Sequence, residues 1–138
     1  MPTTEPESLL LDTHALLWWQ ADSDLLSTRA RRLIDNAPRL FLSAISLWEV
    51  ATMVGEGTIA LDRPTQMWVH DLLTDGIIAI AELTPPISVA AAQLEEFNGD
   101  VADRMIYATA VHHQLTLVSK DPVLTEYARS NGDATIEW

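Results

Sequence analysis

Four acidic residues stand where an apolar element would bring a carboxylate to one end of a sheet. Asp12 and Asp121 each follow a short apolar run, whereas Asp103 and Glu49 lie on stretches with helical periodicity. Like charges that converge need a counter-ion, and carboxylate oxygens select hard divalent cations. Mg²⁺ in particular keeps several waters and leaves part of its shell to a substrate phosphate. The pattern therefore predicts a cation site suited to phosphodiester cleavage.

The elements that must position these acids alternate between strands and helices along the chain. Short apolar runs predict strands, and helical stretches begin at Ser, Thr, Asp or Pro and end at Gly, Asn or Pro. The predicted strands are 9–11, 40–42, 77–80 and 115–118, with an edge strand at 135–137. The predicted helices are 14–20, 28–36, 44–54, 64–75, 85–97, 101–114 and 123–129. This order predicts one α/β sandwich with a mainly parallel sheet.

In open parallel sheets, ligands bind beyond the carboxyl ends of the strands. Asp12 and Asp121 fall at that edge, and Asp103 begins a helix that runs back to the fourth strand. Each acid alone is more simply explained as a helix cap or a solvated side chain, and Asp100 with Asp103 has the spacing of a capping box. Only their convergence indicates a site.

Length and composition indicate one domain at 9–138, preceded by a flexible N-terminus at 1–8. The chain has 138 residues, of which 48% are hydrophobic, and no cysteine. The absence of cysteine excludes disulfide scaffolds, zinc-thiolate sites and thiol catalysis, and favours a reducing compartment. No signal peptide and no apolar run of membrane-spanning length is found, so we expect a cytoplasmic protein without a membrane partner.

The formal charge of −12, with only eight basic residues, argues against broad, salt-driven binding of nucleic acid. It suits a cation-dependent site and a basic protein partner. Arg29, Arg31 and Arg32 form the one basic cluster, either a docking site for RNA or partner or a solvated helix face.

Other side chains have two interpretations. Lys120 and Arg104 adjoin the acids and either contact a substrate phosphate or are simply exposed. Trp18, Trp19 and Trp48 follow helical spacing that places at least some of them in the core.

Four segments carry a family resemblance in their order and spacing. They read LDTHALLW at 11–18, SAISLWEV at 43–50, DVADRMI at 100–106 and VSKD at 118–121. On these segments the chain resembles a PIN domain from residue 9 to about 127. More narrowly, it resembles the VapC-type ribonuclease toxins of bacterial toxin–antitoxin pairs.

The resemblance implies a three-layer sandwich and a metal-dependent endoribonuclease. It assigns binding of Mg²⁺ or Mn²⁺ and catalysis to the acidic cluster of Asp12, Glu49, Asp103 and Asp121. We expect supporting hydrogen bonds to waters or ligands from Asp100, Ser46 and Ser119. Val101 and Ala102 replace the Pro and Phe of the family's D-P-F-D-R segment, and Asn98 stands where a His is common. These departures affect the shape of a loop and spare all four carboxylates.

The resemblance also implies partners. They are an RNA substrate, a VapB-type antitoxin and a second copy in a homodimer. The antitoxin's amphipathic helix would enter an aromatic groove, and its basic tail would reach the acidic site.

Two other functions stay open. A receiver-like or haloacid-type phosphoryl-transfer domain also uses an Asp after the first strand, but it requires an adjacent acidic pair or D-x-D. The segment Asp12-Thr13-His14 offers neither. The second is a PIN-like fold that binds a partner without catalysis.

Overall fold

The structure is a computed structural model that describes residues 6–138. The first strand begins at Ser8, and residues 1–5 of the predicted flexible N-terminus lie outside the described range. Within that range no helix is long and apolar enough to cross a membrane.

Strands and helices alternate along the chain nearly as the sequence predicts. The strands are β1 (Ser8–Leu11), β2 (Arg39–Ser43), β3 (Ile78–Ala81), β4 (Thr116–Val118) and β5 (Ile136–Glu137). The helices are α1 (Thr13–Gln20), α2 (Thr28–Asn36), α3 (Ala44–Gly55), α4 (Thr65–Thr74), α5 (Pro85–Ala92), α6 (Val101–His113) and α7 (Pro122–Asn131).

The five strands form one sheet in the order β3-β2-β1-β4-β5, and all four pairings are parallel. The chain builds outward from β1 through β2 to β3 and then returns to the other side of β1 with β4. The strand order therefore reverses between β1 and β4, which is where open α/β sheets bind ligands. The predicted α/β class is confirmed.

Both faces of the sheet are covered, as a parallel sheet requires. Leu9 and Leu11 pack into one core with helices α1, α2, α3 and α4. Leu10, with the opposite orientation, packs into a second core that includes Ile106 and Tyr107 of α6 and residues of α7. The run of three leucines is thus explained by burial on both sides, because side chains alternate along a strand.

One predicted boundary is wrong by more than two residues. The helix expected to reach Phe97 ends at Ala92, and residues 93–99 form a loop before α6. Glu96 has a positive φ of 59°, which a helix does not allow, and Phe97 turns inward to the second core. Tertiary contacts, rather than the helix propensity of its residues, therefore determine the conformation of this loop.

The tryptophans are divided between core and surface. Trp68 is buried, Trp18 and Trp19 are half-buried against the first core, and Trp48 is 60% exposed. The expectation of core packing therefore holds only for some of them. In the basic cluster on α2, Arg29 pairs with Glu137 and Arg31 with Asp22, so part of that charge is neutralised within the fold.

Candidate active site

Asp12 stands at the carboxyl end of β1, between β2 and β4. Its side chain caps α1, and the residue is only 9% exposed. Oδ1 accepts from the Thr13 backbone N–H at 2.9 Å, and Oδ2 accepts from the Ser119 hydroxyl at 2.6 Å. Burial raises the pKa of Asp12, and the hydrogen bonds from Ser119 and Thr13 oppose that rise. Both oxygens are therefore held in fixed directions in a poorly solvated position.

Ser119 joins the carboxyl ends of β1 and β4. Its buried hydroxyl donates to Asp12 and accepts from the Asp121 backbone N–H at 3.0 Å. Asp121 then caps α7, with Oδ1 accepting from the Val123 backbone N–H at 2.8 Å. One small hydroxyl thus fixes the positions of two acids that are distant in sequence.

Glu49 reaches the same edge from α3. Thr13 Oγ1 lies 2.6 Å from Glu49 Oε1 and 2.9 Å from the buried Ser46 Oγ. A hydroxyl carries one hydrogen, so Thr13 donates to Glu49 and accepts from Ser46. Burial raises the pKa of Glu49, with smaller contributions in the same direction from Asp100 and Asp12. Ser46 therefore supports Glu49 through Thr13 rather than by direct contact.

Asp100 and Asp103 form the predicted capping box at the start of α6. Asp100 Oδ1 accepts from the Asp103 backbone N–H at 2.8 Å, and Asp103 Oδ2 accepts from the Asp100 backbone N–H at 3.3 Å. Burial, followed by repulsion from Asp100 and Asp121, raises the pKa of Asp103 from 3.8 to about 7. The cap leaves an oxygen of Asp103 free of backbone partners.

All five acids line one open cavity of about 480 Å³. The members are Asp12, Glu49, Asp100, Asp103 and Asp121, and the cavity also contains His14, Trp18 and Lys120. The structure thus brings together every predicted acidic site residue, with Ser46 and Ser119 behind them. None of the ion pairs seen in residues 6–138 involves these five carboxylates. Within residues 6–138, no direct ion pair therefore offsets their mutual repulsion.

The donor set fits a hard divalent cation. All of the donors are carboxylate or hydroxyl oxygens, and several are ionisable groups whose pKa values are raised by burial and mutual repulsion. Across residues 6–138, no three acidic or imidazole groups are already close enough together to enclose an ion. Mg²⁺ does not need such a cage, because it is commonly bound by one or two carboxylates and completes its shell with water and phosphate.

Arg104 is not available to a substrate. Its guanidinium donates to the backbone carbonyls of Ala91, Leu94 and Phe97 at 3.0–3.1 Å and lies 5.4 Å from the centre of the Phe97 ring. The sequence left two interpretations of Arg104, contact with a substrate phosphate and simple exposure. Neither applies. Arg104 instead holds the loop 93–99 against the start of α6.

Sequence reasoning missed four residues of the site. Thr13 orients Glu49, and His14 and Trp18 line the cavity. A Cβ on Gly99 would lie 2.8 Å from the Asp103 Cβ and 3.0 Å from its Oδ2, so only glycine leaves room for this carboxylate. Thr13 and His14 follow Asp12 directly in sequence, a signal that could have been used. The role of Gly99 depends on a contact that only the folded chain shows.

The raised pKa values predict how the stability of the metal-free protein varies with pH. Asp103 has a pKa of about 7 in the folded protein against an ordinary value of 3.8, so the folded state binds its proton more tightly than the unfolded state. The free energy of unfolding in EDTA should therefore fall as pH rises from about 4 to about 7. Asp12 and Glu49 act in the same direction.

Urea denaturation at several pH values measures this trend, and Asp103→Asn should flatten it. An identical slope in the wild-type protein and in Asp103→Asn would show that Asp103 does not contribute.

Known proteins match this chain over most of its length. The family described as PIN domain matches residues 9–130. Ribonuclease VapC22 of Mycobacterium tuberculosis is 37% identical over 115 residues, which cover 83% of this chain and 87% of that protein.

Solved structures share the fold. FitAcB from Neisseria gonorrhoeae has a TM-score of 0.64 at 23% identity, covering 93% of this chain and 95% of the matched chain. VapBC2 from Rickettsia felis bound to a promoter DNA fragment has a TM-score of 0.66 at 17% identity. The match covers 95% of this chain and 98% of the matched chain. The match to the family and the match to the VapC22 sequence show that the chain belongs to the PIN-domain family, and within it to the VapC group.

Proposed function

We propose that this chain is a divalent-cation-dependent endoribonuclease and the toxin of a type II toxin–antitoxin pair. The observation that carries the proposal is the convergence of five carboxylates in one cavity, with no Arg or Lys of residues 6–138 paired to them. The relative at 37% identity is named a ribonuclease, which supports RNA as the substrate.

Asp12 and Asp103 are the central ligands in this proposal, with Asp121 and Glu49 completing or orienting the set. A bound Mg²⁺ or Mn²⁺ would acidify the attacking water and neutralise charge that develops on the phosphate. Ser119 and Thr13 hold the Asp12 and Glu49 carboxylates in fixed directions, so fewer rearrangements are needed when the substrate binds. Ser46 supports Glu49 indirectly, through its hydrogen bond with Thr13. Asp100 supports Asp103 through the capping box.

A VapB-type antitoxin is the proposed protein partner. Similar folds occur in the VapBC2 structure and in a toxin–antitoxin complex from Klebsiella pneumoniae. The formal charge of −12 and the unpaired acids in the cavity favour a partner that supplies Arg or Lys. The proposal also includes a homodimer and a cytoplasmic location. These two parts rest only on membership of the VapC group.

Removal of the cation tests the enzymatic part directly. The purified protein should cut single-stranded regions of total cellular RNA in Mg²⁺ or Mn²⁺, and EDTA should lower the rate by at least about 100-fold. Sequencing of the new RNA ends measures where cleavage occurs, and added Mn²⁺ should restore it.

The same experiment separates the proposal from its main alternative, a PIN-like module that binds a partner without catalysis. Such a module would leave RNA intact under every cation condition. Cleavage that is unaffected by EDTA would instead point to a contaminating nuclease and contradict the role of the cation.

A further inference from the structure

A second cavity shares a wall with the acidic one. It measures about 420 Å³ and is lined in part by Ile59, Leu61 and Trp68, so its character is more apolar than that of the acidic site. His14 and Trp18 line both cavities. A ligand that crosses the acidic site can therefore extend into this apolar cleft without leaving the surface of the protein.

The shared Trp18 indole is held by its neighbours. Its ring centre lies 5.6 Å from that of His14 and 5.7 Å from that of Trp138, and the latter contact is edge-on. Lys120 Nζ lies over the ring at 5.9 Å from its centre. An aromatic ring fixed on several sides loses little freedom when a ligand stacks on it, so it serves well as a binding platform.

The charge of the protein makes such a platform necessary for an RNA ligand. With a formal charge of −12, the chain gains little affinity from neutralising phosphates along a strand. Proteins that bind single-stranded RNA also gain affinity from stacking of bases on aromatic side chains. Trp18 is half-buried and borders the acidic cavity, and the only lysine of the chain adjoins it.

We infer that Trp18 is the base-stacking platform of this enzyme and that it makes cleavage depend on an unpaired base next to the cleaved bond. The apolar cleft takes the base of a nucleotide next to the cleaved bond, and Lys120 contacts the phosphate beside it. Such a site requires an unpaired base that can leave its stack, so it favours single-stranded RNA. This inference rests on the proposed ribonuclease function.

The test uses single-stranded oligoribonucleotides in which one nucleotide near the mapped cleavage point lacks its base. For the wild-type protein, one abasic position should lower kcat/KM by about tenfold, mainly through KM. In Trp18→Ala, kcat/KM for the complete RNA should fall by a similar factor, and the same abasic position should have no further effect. Trp18→Phe should keep part of the discrimination, because a smaller ring still stacks.

The ratio between complete and abasic RNA within one variant does not depend on how much of the protein is folded. Trp48→Ala is the matched control, because Trp48 is 60% exposed and lines neither cavity. It should keep the wild-type ratio. Lys120→Met should weaken binding of complete and abasic RNA alike.

Two results would overturn the inference while leaving the ribonuclease function in place. One is an unchanged tenfold ratio in Trp18→Ala. The other is a Trp18→Ala protein with wild-type cleavage that no longer binds its antitoxin, which would assign the cleft to the protein partner. Absence of cleavage by the wild-type protein in Mg²⁺ and Mn²⁺ would overturn both the function and the inference.

Discussion

Asp103→Asn should lower RNA cleavage by about a thousandfold at saturating Mn²⁺ or Mg²⁺, with the fold retained. The amide keeps the shape of the side chain, and its oxygen can still accept from the Asp100 backbone N–H to complete the cap. It removes the negative charge that the proposed cation requires. Asp12→Asn should have a similar effect, since the Asp12 carboxylate is the most buried acid of the site.

The same substitution should stabilise the metal-free protein at neutral pH. Repulsion from Asp100, Asp121 and Asp12 contributes to the raised pKa of Asp103, and the neutral amide removes it. Because Asp103 is only half-buried, solvent screening reduces the gain to about 1 kcal/mol. Rates of cleavage and urea denaturation in EDTA measure the two effects on one preparation.

Asp24→Asn is the control for both measurements. Asp24 is exposed and lies outside the acidic cavity, so its replacement should change neither quantity. Wild-type cleavage by both Asp103→Asn and Asp12→Asn would contradict the proposed cation site. Lost cleavage together with a lower free energy of unfolding would indicate a folding defect instead.

Arg104→Ala should lower the free energy of unfolding by about 2–4 kcal/mol. The guanidinium satisfies three backbone carbonyls of the segment that precedes α6, those of Ala91, Leu94 and Phe97. Without it these carbonyls lose their charged donor, and the ring of Phe97 loses its cation contact. The loop should then release Gly99 and Asp100, so cleavage should fall even where the protein remains folded.

Arg104→Lys is expected to give an intermediate loss, because an ammonium on a flexible chain cannot match the planar, multiple donors of a guanidinium. Arg129→Ala controls for removal of an arginine, since among residues 6–138 Arg129 pairs only with Glu126, on the exposed side of α7. Thermal or urea denaturation gives the stability, and hydrogen exchange in residues 93–103 reports the release of the loop. A loss in Arg104→Ala no larger than in Arg129→Ala would contradict this role.

Much of the fold could be predicted from the sequence because its signals are local. Caps at Asp12, Ser27, Asp100 and Asp121 stand where the helices begin, and all four satisfy backbone N–H groups of the first turn. Alternation of element types then implies parallel strands, and parallel strands place the residues that follow them at one edge.

Most of the candidate site could also be predicted from local signals and the order of elements. Asp12, Asp103 and Asp121 are tied to element ends, so their common edge follows from the order of elements. Glu49 lies within a helix, and its position at that edge was inferred from the resemblance to the family. The predicted end of α5 at Phe97 was wrong, because the loop shape is set by Arg104 and Phe97 rather than by local helix preference.

The sequence by itself determined which residue types are available, where the elements begin and which acids follow them. Only the tertiary structure decided the sheet order, the contact of Thr13 with Glu49, the space that Gly99 leaves for Asp103 and the place of Trp18 between two cavities. The physical reason is the range of the interactions. Capping and periodicity act over a few neighbouring residues, whereas packing, desolvation and repulsion between carboxylates depend on segments that meet only after the chain has folded.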